Sequence, residues 1–140
     1  MNKSYTVVTG TVGMDAHCIG TKVLSRALRE AGFKVIELGV LTPPEEFIQA
    51  AQETGADAIL MSSLYGMAEF DLRGFKEKCL EAGIGDVLLY IGGLLGVKRH
   101  DFAEDEVKFK NLGFDRVYPP EAELQAAIRD LRGDLERKYS

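Results

Sequence analysis

Chemistry is concentrated first in Asp15-Ala16-His17-Cys18-Ile19-Gly20. His17, one of only two histidines, follows a carboxylate by two positions, in the turn leaving the strand-like run Tyr5–Thr9. In an open α/β sheet, ligands bind outside the carboxyl ends of the strands, where a reactive side chain is useful. An imidazole that ligates a metal needs a partner on its second ring nitrogen to fix tautomer and orientation, and Asp15 is near enough to serve. The plainer alternative is a solvated loop histidine beside an aspartate that caps the following helix.

Other reactive side chains support fewer readings. Gly10-Thr11-Val12-Gly13 matches neither G-x-G-x-x-G nor G-x-x-x-x-G-K-[ST], and Glu37 falls inside a strand instead of at its end, so a nucleotide site is disfavoured. A phospho-acceptor receiver needs an aspartate at the end of the third strand, where this chain has Met61-Ser62-Ser63. Neither serine lies in a G-x-S-x-G elbow, which argues against hydrolysis with His17. Both could instead satisfy loop backbone. Cys18 could be an activated thiolate or a small buried residue, and Cys79, inside a helical pattern, reads as core. Gly92-Gly93 and Gly96 remove side chains, as a flexible turn or as room for a flat ligand close to backbone. Lys98, Arg99 and His100 read as solvated surface.

The elements that must position these residues alternate between strand and helix patterns. Strands are predicted at Tyr5–Thr9, Lys34–Leu38, Ala58–Met61, Val87–Ile91 and Arg116–Tyr118. Helices are predicted at Gly20–Ala31, with Val23, Leu24, Ala27 and Leu28 on one face, then from Thr42 as N-cap to Thr54, burying Phe47, Ile48 and Ala51. Three more follow at Phe70–Ala82, Phe102–Leu112 and Glu121–Arg137. Gly32, Gly55, Gly83 and Gly113 sit where helix C-terminal glycines belong. Five βα units imply an α/β, flavodoxin-like (Rossmann-like) doubly wound parallel sheet, order 2-1-3-4-5, with helices on both faces and right-handed crossovers. In that order the loop of His17 and the loop of Ser62 face one crevice, and Gly92-Gly93 lies on the same edge.

At 140 residues, 46% hydrophobic and 28% charged, the chain fits one domain, residues 1–140, with its own core. A net charge of −5 with scattered basic residues argues against nucleic acid or an anionic membrane as partner. No apolar run approaches the roughly 20 residues of a membrane span, and no signal-peptide core precedes the first strand. Two cysteines without metal spacing suit a cytoplasmic protein with free thiols.

Asp15-x-His17-x-x-Gly20, then Ser62-x-Leu64, then Gly92-Gly93, at the ends of the first, third and fourth strands, resemble the signature of cobalamin-binding domains in which a histidine replaces the cofactor's own base on cobalt. Over most of residues 5–120 the chain is similar to the small (sigma) subunits of glutamate mutase. The segments that carry this are Val40-Leu41, Ser62-Ser63-Leu64-Tyr65-Gly66, Lys76-Glu77-Lys78-Cys79, Glu81-Ala82-Gly83 and Gly113-Phe114-Asp115-Arg116-Val117-Tyr118-Pro119-Pro120. One departure is Leu94, where the family usually has asparagine after the double glycine.

The resemblance implies that His17 is the lower axial ligand of cobalt in adenosylcobalamin held base-off, with Asp15 hydrogen-bonded to its other nitrogen. The displaced tail would enter between the first and third strands, Ser62 hydrogen-bonding it and Leu64, Gly92 and Gly93 lining its slot. The implied cofactor-binding set is completed by Met14, Ala16, Cys18, Gly20, Ser63, Leu94, Leu95 and Gly96. The implied reaction is radical interconversion of L-glutamate and (2S,3S)-3-methylaspartate, with the hard chemistry belonging to the cofactor. No catalytic residue is expected on this subunit alone. The substrate would bind a large catalytic (epsilon) subunit, in a heterotetramer of two small and two large subunits, and Tyr65–Phe70 is a candidate part of that interface. A non-catalytic corrinoid carrier, a cobalamin-sensing domain and the matching subunit of a related mutase are the competing readings.

Overall fold

A computed structural model describes residues 5–11, 19–39, 42–62, 72–92, 102–118 and 124–139. The chain order is β1 (Thr6–Thr11), α1 (Ile19–Glu30), β2 (Lys34–Glu37), α2 (Pro44–Thr54), β3 (Ala58–Ser62), α3 (Phe75–Glu81), β4 (Leu88–Gly92), α4 (Phe102–Asn111), β5 (Arg116–Tyr118) and α5 (Leu124–Lys138). The strands form one parallel sheet in the order β2-β1-β3-β4-β5, as the alternation predicts.

Two-residue periodicity divides the apolar strand residues between the two faces of the sheet. Val8, Ile59, Met61, Leu89 and Ile91 join Phe47, Ile48 and Ala51 of α2, Phe75 and Cys79 of α3, and Phe109 of α4 in one core. Val7, Ala58, Leu60 and Tyr90 face the other way, onto Leu28 of α1 and Ile128, Leu131 and Leu135 of α5. Strands buried on both faces read as continuous apolar runs, which is why Ala58–Met61 shows no alternation.

Several local expectations change. β1 continues two residues past Thr9, to Thr11, because Gly10 and Thr11 pair with Met61 and Ser62. Val23 is 52% exposed, and the fully buried positions among residues 22–30 of α1 are Ser25 and Leu28. At about 100° per residue Val23 lies some 140° from Leu28, off the packed face. Thr42 is not the cap of α2: Pro43 occupies that position with no side-chain cap bond, and the Thr42 hydroxyl donates to the Gly39 carbonyl at 3.2 Å. Residues 72–74 form a turn, and α3 follows it from Phe75, with Gly74 at φ +76° in the left-handed region immediately before the helix. The predicted starts at Phe70 and Glu121 lie outside the described residues.

At the amino-terminal edge of the sheet two aspartates repeat one device. Asp57 accepts the Thr6 N–H at 2.9 Å and Asp115 accepts the Leu89 N–H at 2.8 Å, so each carboxylate satisfies a donor of the neighbouring strand. Tyr139, beyond α5, donates to the other oxygen of Asp57 at 2.6 Å and stacks on Tyr5, tying the carboxyl-terminal helix to that edge. Among the described residues no helix is long and apolar enough to cross a membrane.

Candidate functional site

The carboxyl ends of four strands stand in register. Thr11 pairs with Ser62, Ser62 with Gly92, and Gly92 with Tyr118. At about 4.8 Å between strands this row spans roughly 14 Å. The three segments singled out in the sequence therefore leave the sheet from adjacent strands at one level.

Thr11, buried and last in β1, is held on its β2 side as well. Its N–H donates to the Gly39 carbonyl at 2.8 Å, and its carbonyl accepts the Thr42 N–H at 3.0 Å. Gly39 has φ +91°, a left-handed conformation that lets the chain fold back from β2 onto β1. The point from which the chain departs toward His17 is thus fixed from both neighbouring strands.

The glycines of β1 and β4 have different causes. A Cβ on Gly10 would lie 2.9 Å from Phe47 Cζ and 3.0 Å from its Cε1, so this glycine admits α2 against the sheet. That accounts for Gly10 in Gly10-Thr11-Val12-Gly13 without any phosphate. Gly92 has neither reason. A Cβ there would sit in ordinary contact, 3.4 Å from Tyr118 Cβ and 3.8 Å from its carbonyl oxygen, and Gly92 is not among the positive-φ glycines. Among the described residues, packing and backbone leave room for a side chain at Gly92, and the sequence places none. Ser62 beside it is half-buried, and none of the described residues bonds its hydroxyl. A small position next to a hydroxyl, on a sheet edge, suits an inserted planar group carrying a hydrogen-bond acceptor.

Of the predicted site residues, Gly20 lies in the first turn of α1, and Ser62 and Gly92 are the last residues of β3 and β4. The fold brings the latter two side by side. Met14, Asp15, Ala16, His17, Cys18, Ser63, Leu64, Gly93, Leu94, Leu95 and Gly96 lie outside the described residues, as do the Tyr65–Phe70 segment and Lys98-Arg99-His100. Cys79 is fully buried in α3, and burial pushes its thiol up to about 11, so it is core and no nucleophile.

The edge beyond Gly92 rests on a polar network that sequence reading missed. Tyr118, paired with Gly92, donates its hydroxyl to Asp130 of α5 at 2.7 Å. Tyr90, two residues before Gly92 and on the same face as Tyr118, donates to Asp134, and the two rings lie 5.8 Å apart. Arg116 holds Asp134 with two bonds, at 2.8 and 3.1 Å. These Arg116 bonds keep the Asp134 carboxyl below its ordinary value, while burial, followed by the aspartate bonds, pushes both tyrosines well above theirs. The tyrosines are therefore neutral donors that seat β4 and β5 on α5. The only signal for this was the spacing Asp130-x-x-x-Asp134, one turn of one helix face.

A family model described as "B12 binding domain" matches residues 5–129. The chain is 55% identical over 133 residues to the glutamate mutase sigma subunit of Carboxydothermus hydrogenoformans, covering 95% of this chain and 97% of that one. It is 47% identical over 137 residues to the sigma subunit of Escherichia coli O157:H7, covering 98% and 92%. Among solved structures, a cobalamin-binding protein from Desulfitobacterium hafniense superposes with a TM-score of 0.74 over 91% of this chain and 57% of that one. At 20% identity, that likeness bears on the fold alone. By near-full-length identity to these relatives, the chain belongs to the glutamate mutase sigma subunits, within the B12-binding domain family.

Proposed function

We propose that this chain is the cofactor-holding subunit of a two-component isomerase, glutamate mutase, interconverting L-glutamate and (2S,3S)-3-methylaspartate. The observation that carries the reading is Gly92: a position where the described residues leave room for a side chain and the sequence has none, in register with Ser62 on the carboxyl-terminal edge of the sheet. A displaced, base-off cofactor tail has the flat shape and the acceptor atom that such a place accommodates. Identity of 55% across nearly the whole chain to a sigma subunit supports the same assignment.

In this reading His17 would ligate cobalt as a neutral imidazole, and Asp15 would orient its second nitrogen. Ser62 donates its hydroxyl to the tail, and Gly92, with Gly93 and Leu64, walls the slot. Met14, Ala16, Cys18, Gly20, Ser63, Leu94, Leu95 and Gly96 complete the contact set. Adenosylcobalamin, when bound, supplies radical chemistry through its cobalt–carbon bond. This chain ligates, orients and excludes water. The substrate site belongs to a large catalytic subunit, in an assembly of two small and two large chains in the cytoplasm.

The test is a titration with adenosylcobalamin in the presence of the large subunit, followed by electron paramagnetic resonance of the Co(II) form with 14N- and 15N-labelled protein. Splitting from one protein nitrogen is expected, and His17→Ala should abolish it while the variant keeps its fold by circular dichroism. A bound Co(II) form without protein nitrogen, or with splitting that survives His17→Ala, refutes the ligation.

A further inference from the structure

Thr9 and Ser25 are both fully buried, and their hydroxyl oxygens lie 2.8 Å apart. Thr9 sits inside β1, paired with Glu37 on one side and Leu60 on the other. Ser25 lies six residues into α1, in its second turn. Around them the packing of α1 is apolar, with Leu28 buried and Leu24 and Ala27 partly buried in the core that contains Val7 and Leu60. Apolar packing is non-directional, so it holds α1 against the sheet while specifying its position along the helix axis only weakly. A hydrogen bond between two buried hydroxyls is directional, and it is lost if the helix slides. A slip of one turn moves the helix start by about 5.4 Å. A slip that brings Arg29 to the place of Ser25 leaves Thr9 without a hydroxyl partner.

The consequence concerns the seven residues, 12 to 18, that join β1 to α1. One end of that segment is Thr11, anchored to Gly39 and Thr42 through its backbone. The other end is Ile19, whose place follows from the seat of α1. Thr9 and Thr11 belong to the same strand, so β1 supplies both anchors and sets the separation between Thr11 and Ile19. A metal–imidazole bond tolerates a few tenths of an ångström, far less than one turn of slip.

We propose that the Thr9–Ser25 hydroxyl pair is a registration element for the cofactor site: by fixing α1 along β1 it positions the His17-bearing segment, and it raises cobalamin affinity without touching the cofactor. This rests on the reading of His17 as cobalt ligand. The pair is positioning, not catalytic.

Removing both hydroxyls with little change of shape separates registration from stability. A single Ser25→Ala change orphans the Thr9 hydroxyl and destabilises the fold, whereas Thr9→Val with Ser25→Ala leaves no unpaired group. In the complete complex with the large subunit, the double variant should keep its urea midpoint and bind adenosylcobalamin about tenfold more weakly, the lower end of the range for groups that orient a ligand. The nitrogen-coupled share of bound Co(II) should fall, and in the free subunit the amides of residues 19–30 should exchange faster than in the parent. Thr9→Ser, which keeps a hydroxyl, should retain parent affinity. Unchanged affinity or unchanged α1 exchange in the double variant overturns the proposal. Absence of nitrogen coupling in the parent itself overturns the His17 reading separately, and the pair is then judged on affinity and exchange alone.

Discussion

Gly10→Ala tests the packing argument most directly. The new methyl would lie 2.9 Å from Phe47 Cζ, 3.0 Å from Cε1 and 3.3 Å from Leu38 Cβ. Carbon atoms settle at about 3.5–4.0 Å, so the ring must retreat by about 0.6–1.1 Å. Phe47 is fully buried between α2 and the sheet, so its retreat displaces α2 or forces a strained rotamer. Overpacking of this kind costs about 1–3 kcal/mol. Alanine also restricts the unfolded chain, which returns about 0.4–1 kcal/mol. The net loss should be about 1–2 kcal/mol, or a fall in Tm of roughly 3–7 °C for a chain of this length. Urea denaturation of Gly10→Ala, Phe47→Leu and the double variant forms a cycle. The shorter side chain gives the methyl space, so the coupling should favour the double variant by about 1 kcal/mol. Additivity within about 0.3 kcal/mol would refute the argument, because independent sites behave that way.

Other outcomes follow from the buried polar groups. Asp57→Ala and Asp115→Ala should each lower stability by about 1–3 kcal/mol in urea melts, since each orphans a strand N–H. For Asp134, whose folded value is held below the ordinary one near 4, stability is present above that value and lost as pH falls through the lower folded value. An acid titration of unfolding should therefore be shallower below pH 4 in Asp134→Asn, which should also cost about 1–2 kcal/mol at pH 7, a figure kept low because Arg116 is partly exposed. Cys79, raised to about 11 by burial, should resist thiol reagents in native Cys18→Ala protein at pH 8 and react fully in urea. Its unfolded thiol ionises first, so its contribution is complete below about pH 8.5 and declines as pH rises toward 11.

The common level of the β1, β3 and β4 ends was legible in outline because its signals are local. The ends of β3 and β4 are marked where apolar runs give way to Ser62-Ser63 and Gly92-Gly93, and a parallel sheet places such ends on one edge. The residues that brace the edge were not legible. Nothing near Thr9 in sequence announces Ser25 as its partner, and Tyr118 gains meaning only when β5 lies beside Gly92. Val23 and Thr42 were misplaced for a related reason: local pattern offers several helix faces and cap positions, and tertiary packing selects among them.

The sequence by itself determined the alternation of strands and helices, the helix-ending glycines at 32, 55, 83 and 113, the apolar strands buried on both faces, and which loops carry reactive groups. These follow from periodicity and backbone preference, which act over a few residues. Tertiary structure alone decided why Gly10 must be small while none of the described residues crowds Gly92, which carboxylates close the amino-terminal edge, and how α1 is seated on β1. Those outcomes rest on contacts between residues 16 to 82 positions apart, whose geometry exists only once the sheet has assembled.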